Sequence, residues 1–459
     1  MEINEQPFFH GLLPREEVKL LLQKNGDYLM RTSEPQGQAR HLIISVMQNE
    51  TSQEVAHYVI RTSDGAYSIT DKIKFGTLTE LVNHHKQAKI SEVRAIHAHY
   101  RLIIVVQEVA SSVLVNPIGR QSWELNHADI TMTKVLGEGA FGEVKLGTLK
   151  MGSTTVDVAI KVAKLEKVTK EQIKEIITEA RLMRGFDHKN VVKCYGVAAI
   201  DEPLLVVMEL VPGGALDKYL QKNSSVQWPE KLDIIAQVAA GLAYIHSKNI
   251  IHRDIAARNI LYGKGVAKVS DFGLSRVGTE YQMDPSKRVP IRWLSPETIV
   301  SFLYTPQTDV FAFSILCWEV IENGAQPYPE MLVVQVHQKV GRDDYRMPIS
   351  QKAPAMLADV IKKCWIRDPQ QRPTMSQVVQ MMYEITGKKD KTSVNKSTGQ
   401  LRAKMMSTGP MSDPMRDKTA KKTGRRNKKK PSSASNGPGG NSGPSSGPLS
   451  GKDSRLKKP

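Results

Sequence analysis

The 459-residue chain is long enough for two or three domains, and its three cysteines (Cys194, Cys317, Cys364), odd in number and without metal-ligand spacing, argue against a disulfide framework or a zinc site and for a reducing compartment. The net charge of +17 suggests nucleic acid until it is located: the last 73 residues hold nineteen Lys plus Arg against four Asp, a net +15, so the body is close to neutral and a basic groove is not expected. The opening MEINEQPFFH lacks the basic and apolar regions of a signal peptide, Glu2 stands where myristoylation needs glycine, and runs such as LIIVV at 102–106 are too short to span a bilayer.

The first folded block, 8–106, opens with a helical pattern after Pro14 (REEVKLLLQ) and continues with three strand-like runs, DYLMRTS, HLIISVM and HYVIRT, the last followed by a turn-forming SDG. A second helix is expected at TLTELVNHH, where Leu78, Leu81, Val82 and His85 share one face. That order predicts an α+β sandwich. Arg31 stands out, because it follows the half-buried Tyr28, Leu29 and Met30 in a strand, and a buried guanidinium without a partner is costly. Either an internal carboxylate pairs with it or the strand holds a site for an anion supplied from outside.

Residues 107–129 read as a linker, and a second block runs over 130–386. It starts with strands around a Gly-rich turn, passes through one amphipathic helix (Ile173, Ile176, Ile177, Ala180) and becomes mostly helical, which predicts a small and a large lobe with a cleft between them. In LGEGAFGEV, Gly137, Gly139 and Gly142 let a backbone turn lie over phosphates; the run leads into another strand and lacks GK[ST], against both a dinucleotide fold and a P-loop. Lys161 closes VAIK nineteen residues after Gly142, and Glu179 lies eighteen residues further, on the amphipathic helix. IHRDIAARN then supplies Asp254 and Asn259, and DFG supplies Asp271; magnesium bridging phosphate oxygens wants such hard oxygen ligands. The tail, 387–459, is rich in Gly, Ser, Pro and Lys, buries little and is expected to be disordered.

These elements, in this order and spacing, resemble the protein-kinase motif set, and the resemblance extends to SPE at 295–297, Asp309 and Arg372, which the family pairs with Glu297. It implies that Leu136, Gly137, Glu138, Gly139, Ala140, Phe141, Gly142, Glu143 and Val144 cover ATP together with Ala159, and that Lys161 holds the phosphates with Glu179 behind it. Met208 would be the gatekeeper, with Glu209 to Val211 as the hinge. Asn259 and Asp271 would bind Mg2+, with Mn2+ as an alternative, and Asp254 would accept the proton of the attacking hydroxyl. Arg258 in DIAARN and the VPIRW run at 289–293 resemble the tyrosine-specific branch. Tyr281 would be the regulatory phosphorylation site, facing Arg253. Two departures, Ser295 for the usual Ala and FAFS at 311–314 for WSFG, are expected to alter stability more than activity.

The first block resembles an SH2 domain in FFHGLLPREE, YLMRTS and HYVI. The resemblance implies that Arg31 forms a bidentate pair with phosphotyrosine, with Arg15, Ser33 and His57 completing the pocket and Val59 where some members carry a basic residue. GRQSWELNHADI, ELVPGG and the lack of a recognisable SH3 block resemble the Fes/Fer group of non-receptor tyrosine kinases, in which the SH2 domain favours the active kinase. Members usually carry an N-terminal membrane-binding module; here the sequence opens at the SH2 block, which puts curvature recognition by that route in doubt. The presence of Lys161, Asp254 and Asp271 argues against a catalytically dead adaptor. Expected partners are tyrosine-containing substrates and phosphotyrosine proteins, with no specific nucleic acid. The basic tail would meet an acidic membrane surface, act in nuclear import through GRRNKKKP, or serve as a solvated end; a cytoplasmic location, peripheral at the inner plasma membrane, is expected.

Overall fold

The computed structural model describes residues 3–33, 40–70, 72–88, 90, 93–95, 106–108, 112–139, 142–163 and 169–388. Ala140 and Phe141 of the glycine turn, most of the LIIVV run and the tail beyond Lys388 lie outside the described residues.

The first block is a sheet between two helices. Strands β1 (Phe9–Leu12), β2 (Asp27–Ser33), β3 (His41–Asn49), β4 (Glu54–Ser63) and β5 (Ala66–Ser68) lie in that order, with α1 (Arg15–Leu21) and α2 (Leu78–Gln87) packed against opposite faces. The period of two along β2 divides it between them: Tyr28 and Met30 join the core that contains Leu81 and Val82 of α2, while Leu29 joins Leu13, Val18 and Leu22 around α1. Tyr28, Leu29 and Met30 are therefore fully buried rather than half buried, because both faces of the sheet are covered. Strand β1, which pairs parallel with β2, was not expected from the sequence; it is four residues long, interrupted by Gly11, and too short to show a period.

The small lobe of the second block is a five-stranded sheet built from β6 (Ile130–Gly139), β7 (Gly142–Met151), β8 (Thr154–Ala163), β9 (Cys194–Ala198) and β10 (Leu204–Glu209), in the order β9-β10-β8-β7-β6. Along β8, Val158, Ile160 and Val162 turn into a core with Leu149, Leu205 and Val207, which leaves Ala159 and Lys161 on the other face. Helix α3 (Lys170–Arg184) begins with a Thr169–Gln172 capping box and buries Ile173, Ile176, Ile177 and Ala180, the stripe read from the sequence.

The large lobe is organised on α5 (Trp228–Ser247) and α7 (Pro306–Ile321), with the hairpin β11 (Ile260–Gly263) and β12 (Val266–Val269) and helices α4 (Leu216–Lys222), α6 (Pro296–Ser301), α8 (Val333–Gly341), α9 (Ala355–Cys364) and α10 (Met375–Thr386) around them. Every residue of α7 from Thr308 to Ile321 is buried, as befits a helix apolar on all sides. The FAFS departure is absorbed here: Phe311 and Phe313 are fully buried, the Phe311 ring lies 5.1 Å from the guanidinium groups of both Arg346 and Arg372, and the Ser314 hydroxyl donates to the Phe311 carbonyl at 2.6 Å. Ser295 caps α6 and shares a 2.9 Å hydrogen bond with the Thr298 hydroxyl, a role alanine could not fill. No helix among the described residues is long and apolar enough to cross a membrane.

Candidate active site

Between the lobes, Lys161 Nζ meets Glu179 Oε2 at 2.9 Å, so the strand lysine is aimed by α3. Gly139 and Gly142 face each other across the glycine hairpin, and Gly142 adopts φ +151°, where an added Cβ would lie 2.1 Å from the Val162 carbonyl oxygen. Leu136 is exposed on β6, while Glu143 and Val144 sit half buried on β7, Val144 opposite Lys161. Met208 pairs with Ala159 at the back of the same sheet. Glu209 is tied down twice, its N–H donating to the Lys193 carbonyl at 2.9 Å and its carboxylate pairing with Lys268 at 3.0 Å, so it braces the hinge through its side chain.

Opposite, the loop after Ile251 hangs from Asp309 of α7. Its Oδ2 accepts from the His252 N–H at 2.7 Å and its Oδ1 from the Arg253 N–H at 2.8 Å, while His246 Nε2 lies 2.9 Å from Oδ2. Asp254 follows at the cleft. Its Oδ1 contacts Arg258 and its Oδ2 accepts from Asn259 Nδ2 at 2.7 Å; the same amide nitrogen also reaches the Asp254 carbonyl at 2.8 Å, which turns the Asn259 oxygen the other way. The strand leading to DFG is stitched to this loop by the Ser270 hydroxyl, which donates to the Asn259 carbonyl at 2.7 Å. Asp271 is exposed with φ +60°, and Phe272 is buried with its ring 4.8 Å from Phe186 and 5.0 Å from His252. Glu297 and Arg372 form the two-pronged pair expected of them, at 2.6 and 2.8 Å.

Tyr281 and Arg253 also meet, though by ring face. The guanidinium lies 4.3 Å from the ring centroids of both Tyr281 and Tyr304, donates from Nη1 to the Leu274 carbonyl at 2.7 Å, and leaves Nε without a hydrogen-bond partner among the described residues. Burial holds its pKa below the usual arginine value.

In the first block, Arg31 is 1% exposed, and no carboxylate among the described residues reaches it. Its Nε donates to Ser45 Oγ at 3.1 Å and its Nη1 to the Leu13 carbonyl at 3.1 Å, whereas Nη2 has no partner among the described residues. Burial, and secondarily the charge of Arg15, pull its pKa down to about 10. His57 joins through the same hydroxyl, with Nδ1 2.9 Å from Ser45 Oγ. Ser33, half buried at the end of β2, makes no hydrogen bond to this group among the described residues, and Val59 on β4 pairs with Ile43, which pairs in turn with Arg31. Among the described residues no internal acid meets Arg31, and the other alternative, a site built for an external anion, fits its orphaned, fully buried donor.

Two family models match: the protein tyrosine and serine/threonine kinase model over residues 130–382 and the SH2 domain model over residues 8–85. Fer-related kinase 1 of Caenorhabditis elegans is 35% identical over 386 residues, covering 84% of this chain and 95% of that protein. The chain belongs to the Fer-related group of SH2-containing tyrosine kinases. Human tyrosine-protein kinase Fer is 35% identical over 379 residues, but the chain spans only 43% of its length; the transforming protein Fps of avian sarcoma virus (strain PRCII) is 31% identical over 386 residues and 68% covered. A protein kinase of this kind uses ATP with a divalent metal ion and acts on protein substrates, and an SH2 domain binds phosphotyrosine proteins.

In this kinase the SH2 block sits directly on the small lobe. Glu17, buried on α1, lies 3.1 Å from Arg181 and 3.6 Å from Arg184 of α3, and Glu16 lies 2.5 Å from Lys174. Burial outweighs the two arginines and raises the Glu17 pKa. The Leu12 N–H donates to the Ala199 carbonyl at 2.9 Å, and Gly11 permits the approach: at φ +61°, a Cβ there would fall 2.1 Å from the Ala199 oxygen. From the linker, Trp123 places its ring 3.5 Å beneath the Arg184 guanidinium, and Glu124 accepts from His10 Nδ1 at 2.8 Å.

Two residues of these sites, Ser45 and Glu319, were not singled out from the sequence, and Trp293 entered only as the end of the VPIRW run. Ser45 carries no motif signal; only its register opposite His57 reveals it. Trp293 and Glu319 form a 3.0 Å indole-to-carboxylate hydrogen bond beneath Arg258, and the hint available for Glu319 was an acid in the apolar run of α7.

Proposed function

We propose that this chain is a magnesium-dependent, non-receptor protein-tyrosine kinase whose SH2 domain both binds phosphotyrosine and supports the active small lobe. The observation that carries the catalytic reading is the placement of Asp254 between Arg258 and Asn259, facing a Lys161–Glu179 pair across the cleft. In this reading Lys161, held by Glu179, takes the phosphates, the hinge at Glu209 to Val211 meets the adenine and Met208 bounds the pocket. The glycine hairpin from Leu136 to Val144 covers the nucleotide from above.

An ion bound together with ATP takes only one or two protein oxygens and the rest from phosphate and water. Asp271, exposed, and the Asn259 oxygen, turned from Asp254, are the donors such an ion would find. Bound there with ATP, Mg2+ would neutralise charge on the transferring phosphoryl group. Asp254 orients the substrate tyrosine hydroxyl and accepts its proton, while Arg258 keeps the carboxylate in place.

Arg31, with Ser45 and His57 beside it and the Arg15 charge at the rim, takes the phosphate of phosphotyrosine, and Ser33 completes the turn above it. Docking of α1 on α3 would hold Glu179 towards Lys161 and so favour the active state. A phosphate on Tyr281 would find Arg253 and Arg276, whose guanidinium groups lie 4.3 and 5.3 Å from its ring. The domain limits that suit this reading are 8–106, 107–129, 130–386 and 387–459. The basic tail adds salt-sensitive attraction to acidic membrane.

The test is phosphorylation of poly-Glu/Tyr by the purified protein with and without Mg2+, Asp254→Asn serving as control. Activity that depends on the metal and disappears in Asp254→Asn supports the reading; undiminished activity in Asp254→Asn would refute the assignment of the base.

A further inference from the structure

Glu319 is a carboxylate in the wrong solvent. It lies on α7, whose neighbouring positions are apolar, and is 4% exposed. Burying a carboxylate is costly, and an apolar residue of similar volume would suit that helix better. What uses it is one oxygen: Oε2 accepts from the Ala257 N–H at 2.9 Å and from the Trp293 indole N–H at 3.0 Å.

Both donors adjoin the same side chain. Ala257 precedes Arg258 in the short 3-10 turn Ala257–Asn259, and the Trp293 ring lies 4.1 Å below the Arg258 guanidinium. Arg258 in turn contacts Asp254. One acceptor atom thus fixes the root of Arg258 and the floor on which its head rests, and these come from two different parts of the chain, the loop at 257 and the turn Ile291–Trp293.

We propose that Glu319 is a positioning residue for tyrosyl transfer: by accepting from Ala257 and Trp293 at a single oxygen, it holds Arg258 against Asp254 and so sets the direction of the catalytic carboxylate. The inference rests on the assignment of Asp254 as the base. It concerns the transfer step, not nucleotide binding, because neither donor belongs to the small lobe. It requires an acceptor at that point and not a charge, since both bonds come from neutral N–H groups.

The experiment compares Glu319→Leu, Glu319→Gln and Trp293→Phe, each in the 459-residue chain, with the native protein in peptide-tyrosine phosphorylation. Each rate is divided by the concentration of ATP sites titrated with a tight ATP-competitive ligand, so that unfolded protein does not count. Glu319→Leu should lower kcat per titrated site at least about tenfold with KM for ATP within about twofold; Glu319→Gln, which restores the acceptor, should stay within about threefold of native. Trp293→Phe keeps a ring but loses the N–H, and should lower kcat by roughly threefold to tenfold. A native-like kcat in Glu319→Leu overturns the proposal, as does a glutamine variant no faster than the leucine one. Where Glu319→Leu yields no titratable sites, Trp293→Phe decides by the same criterion. Asp254→Asn separates the two levels: activity in Asp254→Asn would remove the catalytic reading itself, while a dead Asp254→Asn beside a fully active Glu319→Leu would remove only the positioning role.

Discussion

Lys161 Nζ stands 2.9 Å from Glu179 Oε2, and both side chains are largely buried, so the pair is a single device shared by a strand and a helix. Removing Glu179 would take away the carboxylate by which α3 holds the buried Lys161 ammonium. Glu179→Ala should therefore lower kcat/KM for ATP by about 10² or more while leaving the fold intact. Steady-state kinetics at varied ATP and a thermal melt check this; unchanged kinetics would detach α3 from catalysis.

Arg31→Lys tests the phosphate pocket. A lysine cannot reproduce a planar fork that donates to Ser45 and to the Leu13 carbonyl while keeping Nη2 for a ligand. Binding of a fluorescent phosphotyrosine peptide should weaken by about 10²-fold or more, with the melting temperature within a few degrees of native. Undiminished binding would mean that the phosphate goes elsewhere.

Gly11→Ala tests how the SH2 block is seated. The new methyl would meet the Ala199 oxygen and would also sit at a positive φ, so β1 has to lift from the small lobe. Phosphopeptide affinity should hold within about twofold, whereas the Leu12 amide and α3 should exchange hydrogen faster and kcat should fall about twofold to tenfold. Faster exchange with an unchanged or higher kcat would show docking without activation.

The pH dependence of stability should carry the mark of Glu319. Burial raises its carboxyl from the ordinary 4.5 to about 7, so the folded state holds that proton more tightly than the unfolded chain does. Its contribution to stability is complete below about pH 4.5 and is lost as pH rises through about 7, a change of roughly 3 kcal/mol at most. Glutamine cannot titrate. The melting temperature of Glu319→Gln minus that of native should therefore become more positive between about pH 5 and about pH 8, by several degrees; a difference that stays flat or reverses would mean Glu319 is not protonated in the fold.

Phe313→Ala should cost about 3 to 5 kcal/mol, because the ring that α7 carries is fully buried. Denaturant unfolding measures it, and a loss below about 1 kcal/mol would show that the FAFS segment is loosely packed.

Much of this was legible because the kinase motif set carries particular side chains at particular separations: Lys161 and Glu179, and Asp254 and Asn259, stand out in the sequence through that resemblance, and the structure pairs each couple by a hydrogen bond. The strand carrying Arg31 was legible for the same reason, an ionic residue where burial is costly. What stayed hidden was set by partners distant in sequence. Leu29 and Tyr28 are buried on opposite faces only because α1 and α2 come from either side of β2, and Gly11 matters only because Ala199 arrives against it. Ser45 and Glu319 have local sequences like any strand serine or helical acid, and their meaning comes from atoms 12 to 62 residues away.

Asp309 holds the two amides that precede Asp254 from within a helix that has no exposed turn. The Asp254 carboxylate is thus referenced to the interior, like an instrument bolted to bedrock and not to the floor around it. Substitutions over the outer surface of the large lobe do not touch these two hydrogen bonds. Those inside α7 do, which makes this helix the place where an inactivating change could arise far from ATP and from substrate alike.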